Sequence, residues 1–224
     1  MTVRVVTIDG PAGSGKSTTA KAVAKRMNVP HVESGALYRA LTLAALDAGV
    51  EFRGQRLVAL ARSLPVRLDL TPRGFRPEVA GVDVSREIRE ERVNARVSEL
   101  SAIPEVRDWV NEVVREAVEG YPRGAVLDGR DMGTVVFPDA ALKVFLTARP
   151  EERARRRLLQ DGHETSDAEI ARATEDLARR DEADSTRAVA PLVAAKDAVV
   201  LDTSDMTFEE QVAHIAALAR NVFQ

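Results

Sequence analysis

Cysteine is absent from the 224 residues, which excludes disulfides, zinc–thiolate centres, iron–sulfur clusters and thiol nucleophiles. Histidine is nearly so: His31, His163 and His214 are scattered and offer no local metal-ligand spacing. No apolar run approaches the ~20 residues that span a bilayer. The opening MTVRVVTIDG passes straight into an alternating apolar segment, without the longer hydrophobic stretch of a secretory signal. No membrane partner and a cytoplasmic address are the expectations. A surplus of one charge is missing too. With 32 Lys and Arg against 35 Asp and Glu, the formal net charge is −3, which argues against nucleic-acid binding by a broad basic surface. Any anionic ligand must then be held locally. What is there is an ordinary globular composition, 45% hydrophobic and 30% charged, at a length suited to one main domain with a subsidiary insert.

Residues 3–8 (VRVVTI) read as a buried β-branched strand stopped by Asp9-Gly10-Pro11. Helical spacing of Ala20, Val23, Ala24 and Met27 predicts a helix over 16–27, ended by Asn28 and Pro30. Further strands are expected at 31–33, 125–128, 142–146 and 199–202. Amphipathic helices should separate them: one after Ser34 carrying Leu37, Leu41 and Ala44, and one opening at Pro104 and stopping at Gly120. Ser166 with Glu169, and Thr207 with Glu210, fit capping boxes at two more helix starts. Strands alternating with helices predict an α/β fold, a five-stranded parallel sheet with helices on both faces. One stretch breaks the rhythm. Val66, Leu68 and Leu70 alternate, Pro72, Arg73 and Gly74 suggest a turn, and Val79, Val82 and Val84 resume around Gly81, which predicts a small antiparallel insert over about 63–86.

Gly10-Pro11-Ala12-Gly13-Ser14-Gly15-Lys16-Ser17 satisfies G-x-x-x-x-G-K-[ST] between a predicted strand and a predicted helix. Glycines let such a loop curl so that consecutive N–H groups point inward, and the helix adds its positive N-terminal end. Phosphates of a nucleoside triphosphate are the fitting ligand, with Lys16 reaching the β and γ phosphates and the Ser17 hydroxyl in the shell of Mg²⁺. By itself the loop leaves GTPase switches, ATPases and small-molecule kinases open. Downstream, AVLDGRDMG places Asp128 at a strand end that faces the phosphate loop in a parallel sheet. Asp128 can hold Mg²⁺ through water, Arg130 can meet a phosphate, and Asp131 can accept from a substrate amino group. The plainer alternative is an Asp-Gly turn stabilised by its own ion pair.

The combination TIDGPAGSGKST, SGALYR, DVSREIR, DGRDMGTVVFPDA and TRAVAPL resembles the bacterial cytidylate (CMP) kinase family of nucleoside monophosphate kinases, over nearly the whole chain. The resemblance implies a phosphate-loop kinase fold in a single unit. Its core would take in about 1–34, 104–148 and 188–224, with a monophosphate-binding part at 35–103 and a mobile lid at 149–187. It also implies site residues. Ser34, Arg39, Ser98 and Arg107 would touch the monophosphate substrate, and Asp131, Ser98 and Arg107 would read the cytosine edge. Asp184 and Arg187 would engage the sugar hydroxyls and, with Arg130, the phosphates. Thr18 would extend the ATP-binding loop. In the arginine-rich run from Arg149, Arg153 and Arg157 share a helix face and would clasp ATP, while Arg180 and Arg187 join Lys16 and Arg130 as catalytic cations. Glu33 stands where the family often has aspartate, and Arg96-Val97 stand beside Ser98 where smaller residues are common.

The activity so implied is MgATP-dependent phosphorylation of CMP, with dCMP a second acceptor, by a monomer that needs Mg²⁺ alone as cofactor. An acceptor phosphate is already anionic near neutral pH, so no general base is required, in keeping with the lack of a histidine dyad or paired carboxylates. Two alternatives remain: a kinase of another nucleotide or metabolite and, from a different class, a nucleotide-dependent switch or binding module. A guanine-specific switch normally carries N-K-x-D, which this sequence lacks. For the adenine, the loop at 203–205 is the one suggestion, because it follows the last strand on the same side of the sheet.

Overall fold

In a computed structural model, residues 3–64, 66–68 and 77–223 are described. Strand β1 (Val3–Asp9) lies at the centre of one sheet, between β6 (Ala125–Gly129) and β7 (Ala140–Thr147). β2 (His31–Glu33) flanks β6, and β8 (Val199–Asp202) flanks β7. All four pairings are parallel, in the order β2-β6-β1-β7-β8. Parallel neighbours need crossover connections, and the helices supply them. The five expected strands are all present, with β7 opening at Ala140 rather than at 142.

Period-two alternation divides the core between the two faces. Val6, Ile8, Val126, Val144 and Leu146 pack under α1 (Lys16–Met27) and α8 (Phe208–Phe223). Val5, Val32, Ala125 and Leu127 pack under α2 (Ser34–Asp47) and α5 (Pro104–Glu119). Helix α5 shows why the sequence folds this way. Pro104 needs no N–H in the first turn, and Val106, Val110, Val114 and Val118 recur every fourth residue on the buried stripe. Each valine buried there contributes roughly 1.5–3 kcal/mol.

Two helices escaped the sequence pattern: α3 (Gly54–Ser63), which buries only Leu57 and Ala61, and α4 (Glu91–Ser101), which buries Val93, Val97 and Leu100. Each stripe is too thin to stand out against its charged neighbours. Between them the antiparallel insert is present as β3 (Val66–Leu68), β4 (Pro77–Val79) and β5 (Val82–Asp83). Val79 pairs with Val82 across a two-residue turn in which Ala80 and Gly81 both have positive φ, 53° and 78°. Such turns match the twist of the flanking strands. Leu70 and the expected turn at Pro72, Arg73 and Gly74 lie outside the described residues. The arginine-rich run forms α6 (Pro150–Asp161), packed on α7 (Asp167–Thr186). Both capping boxes formed, at Ser166 with Glu169 and at Thr207 with Glu210.

Candidate active site

The parallel sheet sends the C-terminal ends of β1, β2 and β6 to one side, where Glu33 and Asp128 line a cleft of about 790 Å³. Its floor is the glycine-rich turn. Gly13 and Gly15 have φ of 75° and 83°, and a side chain at Gly13 would stand 2.7 Å from the Arg153 carbonyl oxygen. Only glycine fits there. Helix α1 begins directly after Gly15 with neither a side-chain cap nor an acidic residue in its first turn. Its first amides and positive end therefore await an anion. Lys16 bends back to donate to the Pro11 carbonyl at 3.2 Å. Burial, reinforced by Arg130, pulls its ammonium down to about 7, with Asp128 working the other way.

Ser17 Oγ donates to Asp128 Oδ2 at 2.5 Å, and His31 Nε2 lies 2.6 Å from Oδ1 of the same carboxylate. Burial works to raise the Asp128 carboxyl, but His31, Lys16 and the Ser17 hydroxyl outweigh it and hold the group below the usual carboxylate range. Asp128 is thus ionised, and the imidazole N–H donates to it. A hydroxyl and a carboxylate side by side next to a phosphate loop are the oxygen donors that Mg²⁺ takes when phosphate and water complete its shell.

At the other end of the cleft, the Asp131 carboxylate accepts from Arg107 Nη2 through Oδ2, and its Oδ1 lies 3.7 Å from Arg187 Nη2. Asp184 accepts from Arg130 Nε at 2.8 Å and stands 3.8 Å from Arg187 Nη1. Arg187 itself donates from Nε to the Ala190 carbonyl at 2.6 Å, where a positive φ of 51° turns the chain. The TRAVAPL motif thereby shapes the turn that aims this arginine. Ser34 donates to the Asp128 carbonyl at 3.1 Å, and Arg39 is held by the Ile88 carbonyl and Asn94. Ser98 also lines the cleft. Burial, then neighbouring Arg180, brings Arg39 down to about 10, and burial with Arg130 does the same to Arg180. A buried group of cations this dense calls for a polyanionic ligand.

Most of the expected residues converge on this cleft, Thr18 and Arg157 among them. Arg153 sits elsewhere. Its guanidinium donates to the Ala148 and Ala12 carbonyls and pairs with Asp181, whose other oxygen accepts the Ala12 N–H at 3.0 Å. It clamps the base of α6 to the phosphate loop. Residues 203–205 are likewise occupied, with Thr203 bonded to Arg156 and Asp205 to Arg149, while Met206, Phe208 and Gln211 line the cleft.

Sequence reasoning missed Asp9, His31, Tyr38, Ser101 and Asp181. Tyr38 packs its ring 5.4 Å from the Arg107 guanidinium, and Ser101 lines the cleft one turn after Ser98. Tyr38 stood inside SGALYR, four residues after Ser34 and therefore on the same helix face, a usable signal. Asp9 accepts the N–H groups of Met132 and Gly133, and burial, against those two bonds, raises its carboxyl to about 6. Nothing local marks Asp9 or His31, whose partners lie far along the chain.

Comparison with known proteins gives a concordant result. A family model described as cytidylate kinase matches residues 6–221. A cytidylate kinase of Azotobacter vinelandii is 47% identical over 221 residues, covering 96% of this chain and 95% of the relative. One of Mycolicibacterium paratuberculosis is 44% identical over 217 residues, covering 96% and 95%. Among solved structures, an uncharacterised protein from Eubacterium ventriosum shares the fold with a TM-score of 0.52 at 10% identity, covering 96% of this chain and 97% of that one. No described helix is long and apolar enough to cross a membrane.

Proposed function

The chain belongs to the cytidylate kinase family, and on that premise we propose that it transfers the γ-phosphoryl group of ATP to CMP, and to dCMP, as a monomer in the cytoplasm. The observation that carries the choice of acceptor is the buried Asp131 carboxylate between Arg107 and Arg187, in the same cleft as the phosphate loop. A carboxylate accepts from the amino group of cytosine and opposes the carbonyl that uracil presents at the same place.

An oxygen of the acceptor phosphate bonds to the γ phosphorus while the bond from that phosphorus to the β–γ bridging oxygen breaks, and ADP leaves. The acceptor oxygen is already anionic, so the residues position and neutralise rather than move a proton. Lys16 meets the charge that migrates toward the bridging oxygen. Arg39 and Arg130 hold the acceptor phosphate, Arg130 and Arg187 are aimed by Asp184, and Arg157 and Arg180 close the ring of cations from the lid. Ser17, and Asp128 through water, would hold Mg²⁺, which when bound neutralises the triphosphate and orients it. The test is an ADP-release assay with MgATP against CMP, dCMP, UMP, AMP and GMP. CMP and dCMP should lead the panel; a purine nucleotide ahead of both would overturn the assignment.

A further inference from the structure

Asp9 closes β1 and is 5% exposed, and both of its carboxylate oxygens are used: Oδ1 accepts the Met132 N–H at 2.9 Å and Oδ2 the Gly133 N–H at 2.8 Å. These two amides open a π-helical turn (Met132–Val136), where they have no partner within the turn itself. The Asp131 carbonyl, just before them, accepts from the amides of Val135 and Val136 at 2.9 and 3.2 Å. The peptide unit that follows Asp131 is therefore held at both its oxygen and its nitrogen. At the far end of the turn, Arg115 donates to the Val135 and Val136 carbonyls at 3.0 Å each. A side chain at Gly133 would come within 2.7 Å of Thr7 Oγ1 and 3.3 Å of Asp9 Oδ2, so the turn sits against β1 as closely as glycine allows.

We propose that Asp9 is a positioning residue for acceptor selection, fixing the peptide after Asp131 and thereby the direction in which the Asp131 carboxylate meets the base. The inference rests on the acceptor-binding role of Asp131 given above. Each oxygen takes one amide, a geometry that an ionised carboxylate serves at both positions, whereas a carboxamide sets an NH₂ against one of the two N–H donors and a protonated carboxyl offers a weaker hydroxyl acceptor at one of them. The ionised form is poised near its limit. Burial raises the Asp9 carboxyl to about 6, the Met132 and Gly133 amides oppose the rise, and the charges of Asp131 on the turn and Asp128 on β6 add to it. From β7, the stem of Lys143 lies beyond Gly133, and its ammonium is engaged 2.9 Å from both oxygens of Asp197. Protonation of Asp9 therefore loosens the turn that carries Asp131, while Lys16 of the phosphate loop, which titrates near 7 in parent and variant alike, cancels in their ratio.

The parent protein and Asp9→Asn are compared in kcat/KM for CMP between about pH 5.5 and about pH 8. In the parent-to-variant ratio, titration of the acceptor's own phosphate cancels. The ratio should be at least about tenfold at the alkaline end and approach one at the acid end, with KM for ATP changed by less than about twofold and the preference for CMP over UMP reduced in the variant. A ratio independent of pH, or KM values for ATP and CMP rising together, would overturn the proposal. A measurement on the unsubstituted protein needs no variant to fold: the Met132 and Gly133 amide resonances should titrate together with a midpoint near 6. Resonances that stay still across this range also overturn it. A parent protein that does not phosphorylate CMP would strike the role of Asp131 instead, and the amide titration would still read the hold of Asp9 on the turn.

Discussion

Arg107 and Asp131 meet in an ion pair that closes a loop of 24 positions, with 2% of each residue exposed. The pair is self-consistent without substrate contact, yet it leaves two groups over. Asp131 Oδ1 has no donor within hydrogen-bond distance among the described contacts, and Arg187 Nη2, 3.7 Å away, has no hydrogen-bond partner. An acceptor and a donor side by side complement the amino group and ring nitrogen on one edge of cytosine. Arg107 fixes Asp131 and leaves this remaining oxygen available for the recognition proposed above.

Asp131→Asn keeps the shape and removes the charge. It should lower kcat/KM for CMP at least about tenfold and shrink the ratio of CMP to UMP, because its amide can turn a donor toward the uracil carbonyl. Asp131→Ala also strands Arg107 in the interior and should cost about 3–5 kcal/mol of unfolding free energy. Steady-state kinetics with both acceptors and denaturant melts separate the two effects. The parental CMP to UMP ratio in both variants would reduce Asp131 to a structural partner of Arg107.

Lys16 links function to a cost in stability. Its folded pKa of about 7 lies below the unfolded value of 10.5, so the folded protein binds fewer protons between these limits. Stability then rises with pH from about 7 to 10.5, and the cost of burying the ammonium is full below about 7. Lys16→Met should lower kcat at least ~100-fold while raising unfolding free energy by at least ~1 kcal/mol near neutral pH. The gain should fade toward the alkaline limit. Calorimetric melts across pH, beside kcat, check both halves; a destabilised variant would contradict this account of burial.

The sheet, the insert and the phosphate loop were legible because each is written locally. VRVVTI, the G-x-x-x-x-G-K-S spacing and the proline that opens α5 need no distant partner to be recognised. Arg130, Asp131, Asp184 and Arg187 were legible only through their motifs, since an ion pair spanning 54 positions, such as Arg130 with Asp184, has no periodicity to betray it. Arg153 illustrates the limit. Its position on a helix face with Arg157 was correct, but the two side chains part, and only the packing of α6 on Gly13 turns Arg153 to the loop's backbone. Asp9 and His31 were invisible for the same reason: one meets amides 123 and 124 positions away, the other a carboxylate 97 away.

His31 orients the carboxylate proposed for Mg²⁺. Removing it frees Asp128 Oδ1, now bonded at 2.6 Å, and leaves a buried oxygen unpaired. Partners of this kind typically contribute 10–100-fold to metal affinity or activity, so His31→Ala should raise the Mg²⁺ concentration for half-maximal rate by about tenfold. His31→Gln, which retains a donor, should lose less. Titration of Mg²⁺ at fixed ATP measures this, and equal Mg²⁺ dependence in parent and both variants would leave His31 a packing residue.

Asp181 and Arg153 tie the start of α6 to the phosphate loop. Together they hold both the N–H and the carbonyl of Ala12, and the Arg153 backbone lies against Gly13, so the start of α6 moves with the phosphate loop. The proposed closure over ATP would pivot beyond this anchor, in the end of α6 and the first half of α7, with Arg157 and Arg180 at the edges of the moving part, lining the cleft where bound phosphate neutralises their charge. Hydrogen exchange with a two-substrate analogue should gain protection over 158–178 and change little over 150–154. Asp181→Ala releases the anchor: it should raise KM for ATP by about fivefold or more, because the loop loses its preset curl, and should spread the exchange difference into 150–154. Equal exchange changes along the whole of α6 in the parent protein would mean that the lid swings as one body from its first turn and that the Ala12 clamp opens in every cycle.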